Sequence, residues 1–338
     1  MLAHIGKDPD GFFLSRLPLV LQRFVRHHAK GPADAVVDLA TALLPLVQPR
    51  ALRSIRGETV ELSSGVCLDV FRSAASSAPS SPVLLFVHGG IWTLGNRRQY
   101  HSLGQRLAAE GFVGVVVGYT TWPRASAVAQ ARGVRSALRH AVAHAAEWGG
   151  DASRVYLSGQ SSGANVAALA LLDRGVAAGE AEEGGDGGLG GVACAGEGGV
   201  SCAGLVGMGG VYDVVEHFEH ERRRGVEQAS MLRVACDPLE DASPTRLVRD
   251  GGARLRCARA LLLHGEKDIT APPSSSAQFA LALARAGHDV ALVPLPRDGH
   301  LSFLADLMLG RQCDVLPHLK RFCGVGGTQS GAIATARL

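Results

Sequence analysis

The sequence predicts an α/β protein with a mostly parallel central sheet and helices on both faces. Three observations predict it. From residue 58 onward, short apolar runs alternate with helical segments, the order expected when crossover helices join parallel strands. The runs "PVLLFVHGG" and "FVGVVVGY" are apolar almost throughout, as strands are when both faces of their sheet are covered. Of the 338 residues, 46% are hydrophobic and 19% charged, enough for a large core of small aliphatic side chains.

Taken in order, residues 1–55 read as an N-terminal helical cap. Phe13, Leu17, Val20, Leu21 and Phe24 fall on one helical face, interleaved with Arg16, Arg23 and Arg26. Two readings fit: a cap packed on the domain, or a basic amphipathic helix lying on a membrane surface. Residues 56–325 form the α/β domain. Within it "ETVELSS" and "VCLDVFRS" make a hairpin, and "SAVAQARGVRSALRHAVAHAAEW" makes a helix. "GGDASRVYLSG" is a turn followed by a strand, and "CAGLVGMGG", "ARALLLHG" and "DVALVPLP" supply later strands. "SSSAQFALALARAG" is a helix ending at Gly287. Gly175–Gly199 is nearly all Gly, Ala and Glu with little to bury, so a flexible surface insertion is expected there. Residues 326–338 read as a disordered tail.

Composition also excludes several roles. A net charge of +3 with no basic stripe argues against nucleic acid as a partner. The seven cysteines are scattered, without a C-x-x-C pair, which suits reduced thiols in the cytoplasm. Lys7, Asp8 and Asp10 stand where a signal peptide needs its apolar region, and no apolar run reaches about 20 residues. A cytoplasmic protein is expected, peripheral on an internal membrane if the N-terminal helix touches lipid. "GMGGVYD" lacks the dinucleotide spacing, and no P-loop occurs. His217 and His220 are not at the i, i+4 spacing of the zinc helix motif, so "VVEHFEHERRRGVEQ" reads as a charged, solvated lid helix. No metal and no cofactor are expected.

The stretch "SGQSSGANVA" carries the chemistry. Gly159-Gln160-Ser161-Ser162-Gly163 fits G-x-S-x-G where an apolar strand must become a helix almost without a loop. Glycines two positions either side relieve the crowding of such a turn, which holds the Ser161 hydroxyl out at the strand tip. The Ser162 amide then points where an oxyanion would form. Upstream, "FVHGGIWTLG" places Gly89 and Gly90 after a strand, where their amides can turn toward the same point. His88 braces that loop or acts as a base, and the chain order of such sites, with the base last, favours the brace. Trp92 is either a wall of the substrate pocket or part of the loop's packing.

Downstream, "ARALLLHGEKDITAP" ends a strand at His264–Gly265 and sets Asp268 in the following loop, with Glu266 as the rival acid. A carboxylate there can orient an imidazole and stabilise its charged form. "LVPLPRDGHLSF" places His300 after the last strand, with Asp298 as a turn residue. The chain order Ser161, Asp268, His300 suits a serine nucleophile, then the acid that orients its base, then the base itself.

With "VHGGIW", "EWGGDASRVYLSGQSSGANVA", "VYDVVEHFEHERRRGVE", "LLLHGEKDITAP" and "DGHLSFL", the chain from about Pro82 to Phe322 resembles an α/β-hydrolase of the esterase and lipase type. Within it, the sequence looks most like the isoprenylcysteine methylesterase-like branch, with kynurenine formamidase nearby. The resemblance implies Ser161 as nucleophile, Asp268 and His300 as its partners, Gly89, Gly90 and Ser162 as oxyanion donors, and no cofactor. The implied reaction is carboxylic-ester hydrolysis through an acyl-enzyme, with the methyl ester of a prenylated cysteine as substrate. Kynurenine formamidase and general carboxylesterase activity are the alternatives. A different class is a ligand receptor on this fold, as in gibberellin receptors; these lose the catalytic histidine, whereas His300 is present. Where the family shows Asp-Tyr-Arg, this chain has Gly118, Tyr119 and Thr120, so a charged pair near the site is expected to be missing.

Overall fold

The computed structural model describes residues 57–72, 80–173 and 200–325. The expected N-terminal cap, the Gly-rich insertion and the C-terminal tail lie outside the described residues. Ten strands are described: β1 (Gly57–Glu61), β2 (Cys67–Phe71), β3 (Ser81–Val87), β4 (Val113–Gly118), β5 (Gly150–Gln160), β6 (Leu172–Asp173), β7 (Gly204–Met208), β8 (Arg254–Leu255), β9 (Arg259–Gly265) and β10 (Asp289–Leu295). Between them run α1 (His101–Ala109), α2 (Ala127–His144), α3 (Ser162–Leu171), α4 (Val214–Arg223), α5 (Leu232–Ala235), α6 (Pro244–Arg249) and α7 (Ser274–Arg285), with α8 (Ser302–Met308) and α9 (Val315–Cys323) closing the chain.

Eight strands form one sheet in the order β1-β2-β4-β3-β5-β7-β9-β10. Only β2 runs against its neighbours; β4 through β10 are parallel. The predicted mostly parallel α/β class therefore holds, and the hairpin read from "ETVELSS" and "VCLDVFRS" is β1–β2, paired Gly57 to Phe71. The short β6 and β8 pair separately, Leu172 with Leu255.

The apolar runs divide their residues between two cores. Leu85, Val87, Leu157 and Leu262 face α2, α3 and α7, packing with Leu138, Val166 and Phe279. Leu84, Phe86, Leu261 and Leu263 face the other way, onto Leu103, Leu107, Phe303 and Phe322 of α1, α8 and α9. Both sets are buried, the physical reason that no polar alternation marks these strands.

Helix α1 was not expected from periodicity. Its segment "HSLGQRLAA" carries a mid-helix glycine that weakens a helical reading. The structure supplies the reason: a Cβ at Gly104 would run into the ring of Phe71, so the glycine lets α1 lie directly on β2. Gly118 has a similar role, since a Cβ there would fall 2.7 Å from Cδ of Arg97. Arg97 crosses that space to meet Asp69, with Nε 2.9 Å from Oδ2. His101 Nε2 lies 2.8 Å from the same oxygen, and the Thr59 hydroxyl donates to Oδ1 at 2.7 Å. The region expected to have lost a charged pair thus holds one, supplied by different residues. Burial opposes ionisation of Asp69, yet these partners hold its carboxyl below the usual range.

The Asp69 cluster ties β1, β2 and the start of α1 into one unit. Asp69→Ala leaves Arg97, His101 and Thr59 without their acceptor, and should lower stability by about 2 kcal/mol. A urea unfolding curve with unchanged slope and a lower midpoint is the expected result.

Candidate active site

Gly89, Ser161, Asp268 and His300 follow the carboxyl ends of the parallel strands β3, β5, β9 and β10, beside the reversal of strand order whose crevice binds ligands in open α/β sheets. Ser161 follows β5 directly and precedes α3, with φ 56° and ψ −126°. A serine rarely adopts that backbone, and it costs of order 1–3 kcal/mol. Flanking positions show why only glycine serves. A Cβ at Gly159 would fall on the carbonyl oxygen of Gly163, and one at Gly163 would fall on the carbonyl oxygens of Val87 and His88. The Ser161 amide donates to Met208 O at 3.0 Å, fixing the turn to β7.

Three of the residues singled out in the sequence meet here. The Ser161 hydroxyl lies 2.8 Å from His300 Nε2, and His300 Nδ1 lies 2.7 Å from Asp268 Oδ2. Because the carboxylate faces Nδ1, the ring proton sits there and leaves Nε2 free to accept from serine. Asp268 Oδ1 accepts from the amides of Thr270 and Ala271, both at 2.9 Å. Burial works against its charge, but His300 and His264, by charge and by hydrogen bond, hold the carboxyl well below the usual carboxylate range. Glu266, the rival acid, is exposed to solvent. Asp298 accepts from Ser302 Oγ at 2.7 Å within the turn that carries His300.

Gly89 stands against the serine: a Cβ there would lie 3.0 Å from Ser161 Cβ. Beyond it, Gly90, Ile91 and Trp92 all have positive φ, at 129°, 50° and 61°. Such a run persists only where its surroundings over-determine it. Thr93 and Leu94 amides both bond Gly90 O, while Trp92 O accepts from Trp122 N and from Gln130 Nε2. Ser162 opens α3, where an amide has no partner inside its own helix. Of the two readings for Trp92, the structure takes packing. The indole is 2% exposed, and its Nε1 donates to Asn165 Oδ1 at 3.1 Å. His88 is a brace as well: its ring stacks on Tyr119 with centroids 4.5 Å apart, and Nδ1 lies 2.9 Å from Gly89 O. Burial pushes its pKa down to about 4, so it stays neutral.

Three contributors escaped the sequence reading. Asn165 is fully buried, and its amide nitrogen donates to Val211 O and Ala242 O while its oxygen takes Trp92. A lone amide in the apolar helix "ANVAALALL" is the signal that marks it. His264 Nε2 lies 2.9 Å from Ala271 O and 3.2 Å from Asp268 Oδ2, with Nδ1 against the Ser276 hydroxyl. Gln160 Nε2 donates to His300 O at 3.3 Å and lies 3.4 Å from His300 Nε2, joining the elbow to the histidine loop.

The segment read as a charged lid helix is α4, and it is less solvated than its sequence suggests. His220 Nε2 and Arg224 both donate to Ile269 O, next to Asp268. His217 is buried, and its pKa is pushed down to about 3, by burial first and then by neighbouring His220 and His300. Glu221 Oε1 lies 3.6 Å from His217 Nε2. Among the described residues no group of three or more His, Cys, Asp or Glu could hold a metal ion, and no helix is long and apolar enough to cross a membrane.

Known proteins bear on this geometry in three ways. The BD-FAE family model matches residues 68–283, more than half of the chain. Among curated proteins, the chain is 28% identical over 249 residues to an Arabidopsis thaliana protein named probable isoprenylcysteine alpha-carbonyl methylesterase ICMEL1, covering 72% of this chain and 50% of that one. It is 30% identical over 241 residues to esterase LipC of Mycobacterium tuberculosis, covering 69% and 56%. The chain thus spans about half the length of the curated relatives it matches. Among solved structures, esterase 2 of Thermogutta terrifontis phosphonylated by sarin superposes with a TM-score of 0.57 at 20% identity, over 81% of this chain and 92% of that one. That likeness is one of fold.

Burial raises the Glu221 carboxyl to about 7. A carboxyl raised on folding holds its proton longer in the native state, so stability is full below the unfolded value of about 4.3 and falls as pH rises toward 7. Glu221→Gln should remove that loss, gaining on the order of 2–3 kcal/mol over the wild type above pH 7 and little at pH 4. Thermal unfolding of both proteins across pH 4–8 measures the difference; parallel curves would place the raised carboxyl elsewhere.

Proposed function

The chain belongs to the BD-FAE family of α/β-hydrolases, and from that premise we propose that it is a serine carboxylic-ester hydrolase working through an acyl-enzyme. The observation that carries this reading is the unbroken path from Ser161 Oγ through His300 to Asp268, at 2.8 and 2.7 Å. Ser161 Oγ attacks the ester carbonyl as His300 Nε2 takes its proton. Asp268 keeps the imidazole in the needed tautomer and stabilises the imidazolium. Amides of Gly89, Gly90 and Ser162 receive the oxyanion. Collapse of the tetrahedral intermediate expels the alcohol, which takes the proton from His300. Water, deprotonated by the same nitrogen, then releases the acid and restores the serine.

For the substrate, we propose the methyl ester of a prenylated cysteine, giving methanol and the free carboxylate. The plant methylesterase-like relatives support this choice. A prenyl chain needs apolar cover, for which the sequence offers Phe13, Leu17, Val20, Leu21 and Phe24, the same segment proposed for peripheral membrane contact. A second reading, a general carboxylesterase, is favoured by the similarity to LipC.

Turnover of farnesylcysteine methyl ester beside p-nitrophenyl butyrate, with Ser161→Ala as blank, separates these readings. The methyl ester is expected to be preferred, and the variant to lose at least about 10³-fold in kcat. Good hydrolysis of the butyrate with the methyl ester untouched would establish the second reading instead.

Trp92→Phe keeps the ring but drops the hydrogen bond to Asn165. If the oxyanion amides depend on that anchor, kcat should fall about 10- to 100-fold with little change in KM. An unchanged kcat would show that the backbone bonds of the loop suffice.

A further inference from the structure

Away from the crevice, at the opposite ends of the strands, two cysteines face each other. Cys202 lies just before β7 and Cys257 just before β9, and the two are paired in a parallel bridge. The Cys202 amide donates to Arg256 O at 3.2 Å, which fixes the register. Side chains of directly paired residues point to the same face, and neighbouring strands run about 4.8 Å apart. A disulfide spans Cα separations of about 4.4–6.8 Å, so residues paired on neighbouring strands lie within the reach of one. Each thiol donates to the carbonyl two residues ahead, Cys202 Sγ to Gly204 O at 3.4 Å and Cys257 Sγ to Arg259 O at 3.5 Å. Both are half-buried, pack against the apolar core on one side, and keep an open side to solvent.

The two thiols influence one another: the neighbouring Cys257 thiol holds Cys202 below the ordinary cysteine range, while Cys202 and burial push Cys257 up. The pair thus gives up one proton more readily than a second, the condition for a single thiolate nucleophile beside a protonated partner. Nothing in the hydrolytic chemistry uses either, and Cys236 and Cys323, the fully buried cysteines, are held up by burial alone or chiefly so.

We propose that Cys202 and Cys257 form a redox-active dithiol that a hydroperoxide closes to a disulfide. The Cys202 thiolate attacks the terminal peroxide oxygen; the O–O bond breaks and the alkoxide or hydroxide leaves with a proton. Cys202 is then a sulfenic acid. Cys257 sulfur attacks the Cys202 sulfur, the S–O bond breaks, and water leaves with the Cys257 proton. Two thiols are oxidised, one peroxide is reduced, and the bond ties β7 to β9 at the ends remote from Ser161, Asp268 and His300. The hydrolytic site keeps its geometry, so ester turnover serves as a check that the protein remains folded.

The test treats folded full-length protein with hydrogen peroxide and maps the products by mass spectrometry. A Cys194→Ser background is used, because Cys194 and Cys202 share one tryptic peptide. The expected result is joint loss of two thiols and a cross-link between the peptides carrying Cys202 and Cys257. Cys202→Ser should abolish the link and slow thiol loss at least about 10-fold. Phenylarsine oxide, which captures close dithiols without oxidation, gives a second readout in unmutated protein: one equivalent bound at this pair. Separate over-oxidation of the two cysteines, a link to another cysteine, or no arsenical at this pair would overturn the proposal.

Discussion

The backbone turn at Ser161 is the constraint around which the site is arranged. A strand that ends in a left-handed residue and enters a helix at once leaves no room for side chains at Gly159 and Gly163, because carbonyl oxygens occupy that space. The cost is offset by a rigid setting: β5 lies in the middle of the sheet, bonded to β3 and β7, with apolar cores on both faces. The same turn aims the serine hydroxyl at His300 and starts α3 behind it. Moving β3 would move the oxyanion loop with it, and moving β7 would shift its partner β9, which leads into the acid loop.

Much of this was legible in the sequence, for physical reasons that can be named. Parallel strands covered on both faces need unbroken apolar runs, so β3, β4 and β9 stood out. A strained elbow needs its two glycines, and the positions of Ser161, Asp268 and His300 follow from strand ends. Interactions between distant residues were not legible. Arg97 reaching Asp69 across Gly118 depends on three segments meeting, and no local pattern records that. Helix α1 was hidden because Gly104 is spent on contact with Phe71 rather than on helix propensity. Trp92 shows a third kind of limit. An indole after a glycine loop suits a pocket wall or an anchor equally, and only its partner Asn165 distinguishes them.

Support around the reactive atoms is built mostly from neutral groups. Gln160, Asn165, Tyr119 and His88 are all buried, and all hold backbone or ring positions through hydrogen bonds rather than charge. This leaves Asp268 as the charge closest to His300, with its own oxygens satisfied by amides and His264. An imidazolium formed during reaction therefore meets one fixed carboxylate and neutral dipoles elsewhere. Such preorganisation stabilises charge without reorganising the site as the charge appears.

Helix α4 is tied by hydrogen bonds to the loop that carries Asp268. Its charged sequence suggests a helix floating in solvent, yet His220 and Arg224 are both spent on the carbonyl of Ile269. Asp213 caps the helix at its start and is held by Arg246 of α6. The helix is thus fastened at its start to α6 and at its C-terminal end to the acid loop. The same hydrogen bonds bear on the residue beside Asp268, so a substitution on α4 reaches the orientation of the acid, and its effect should be read in kcat as well as KM.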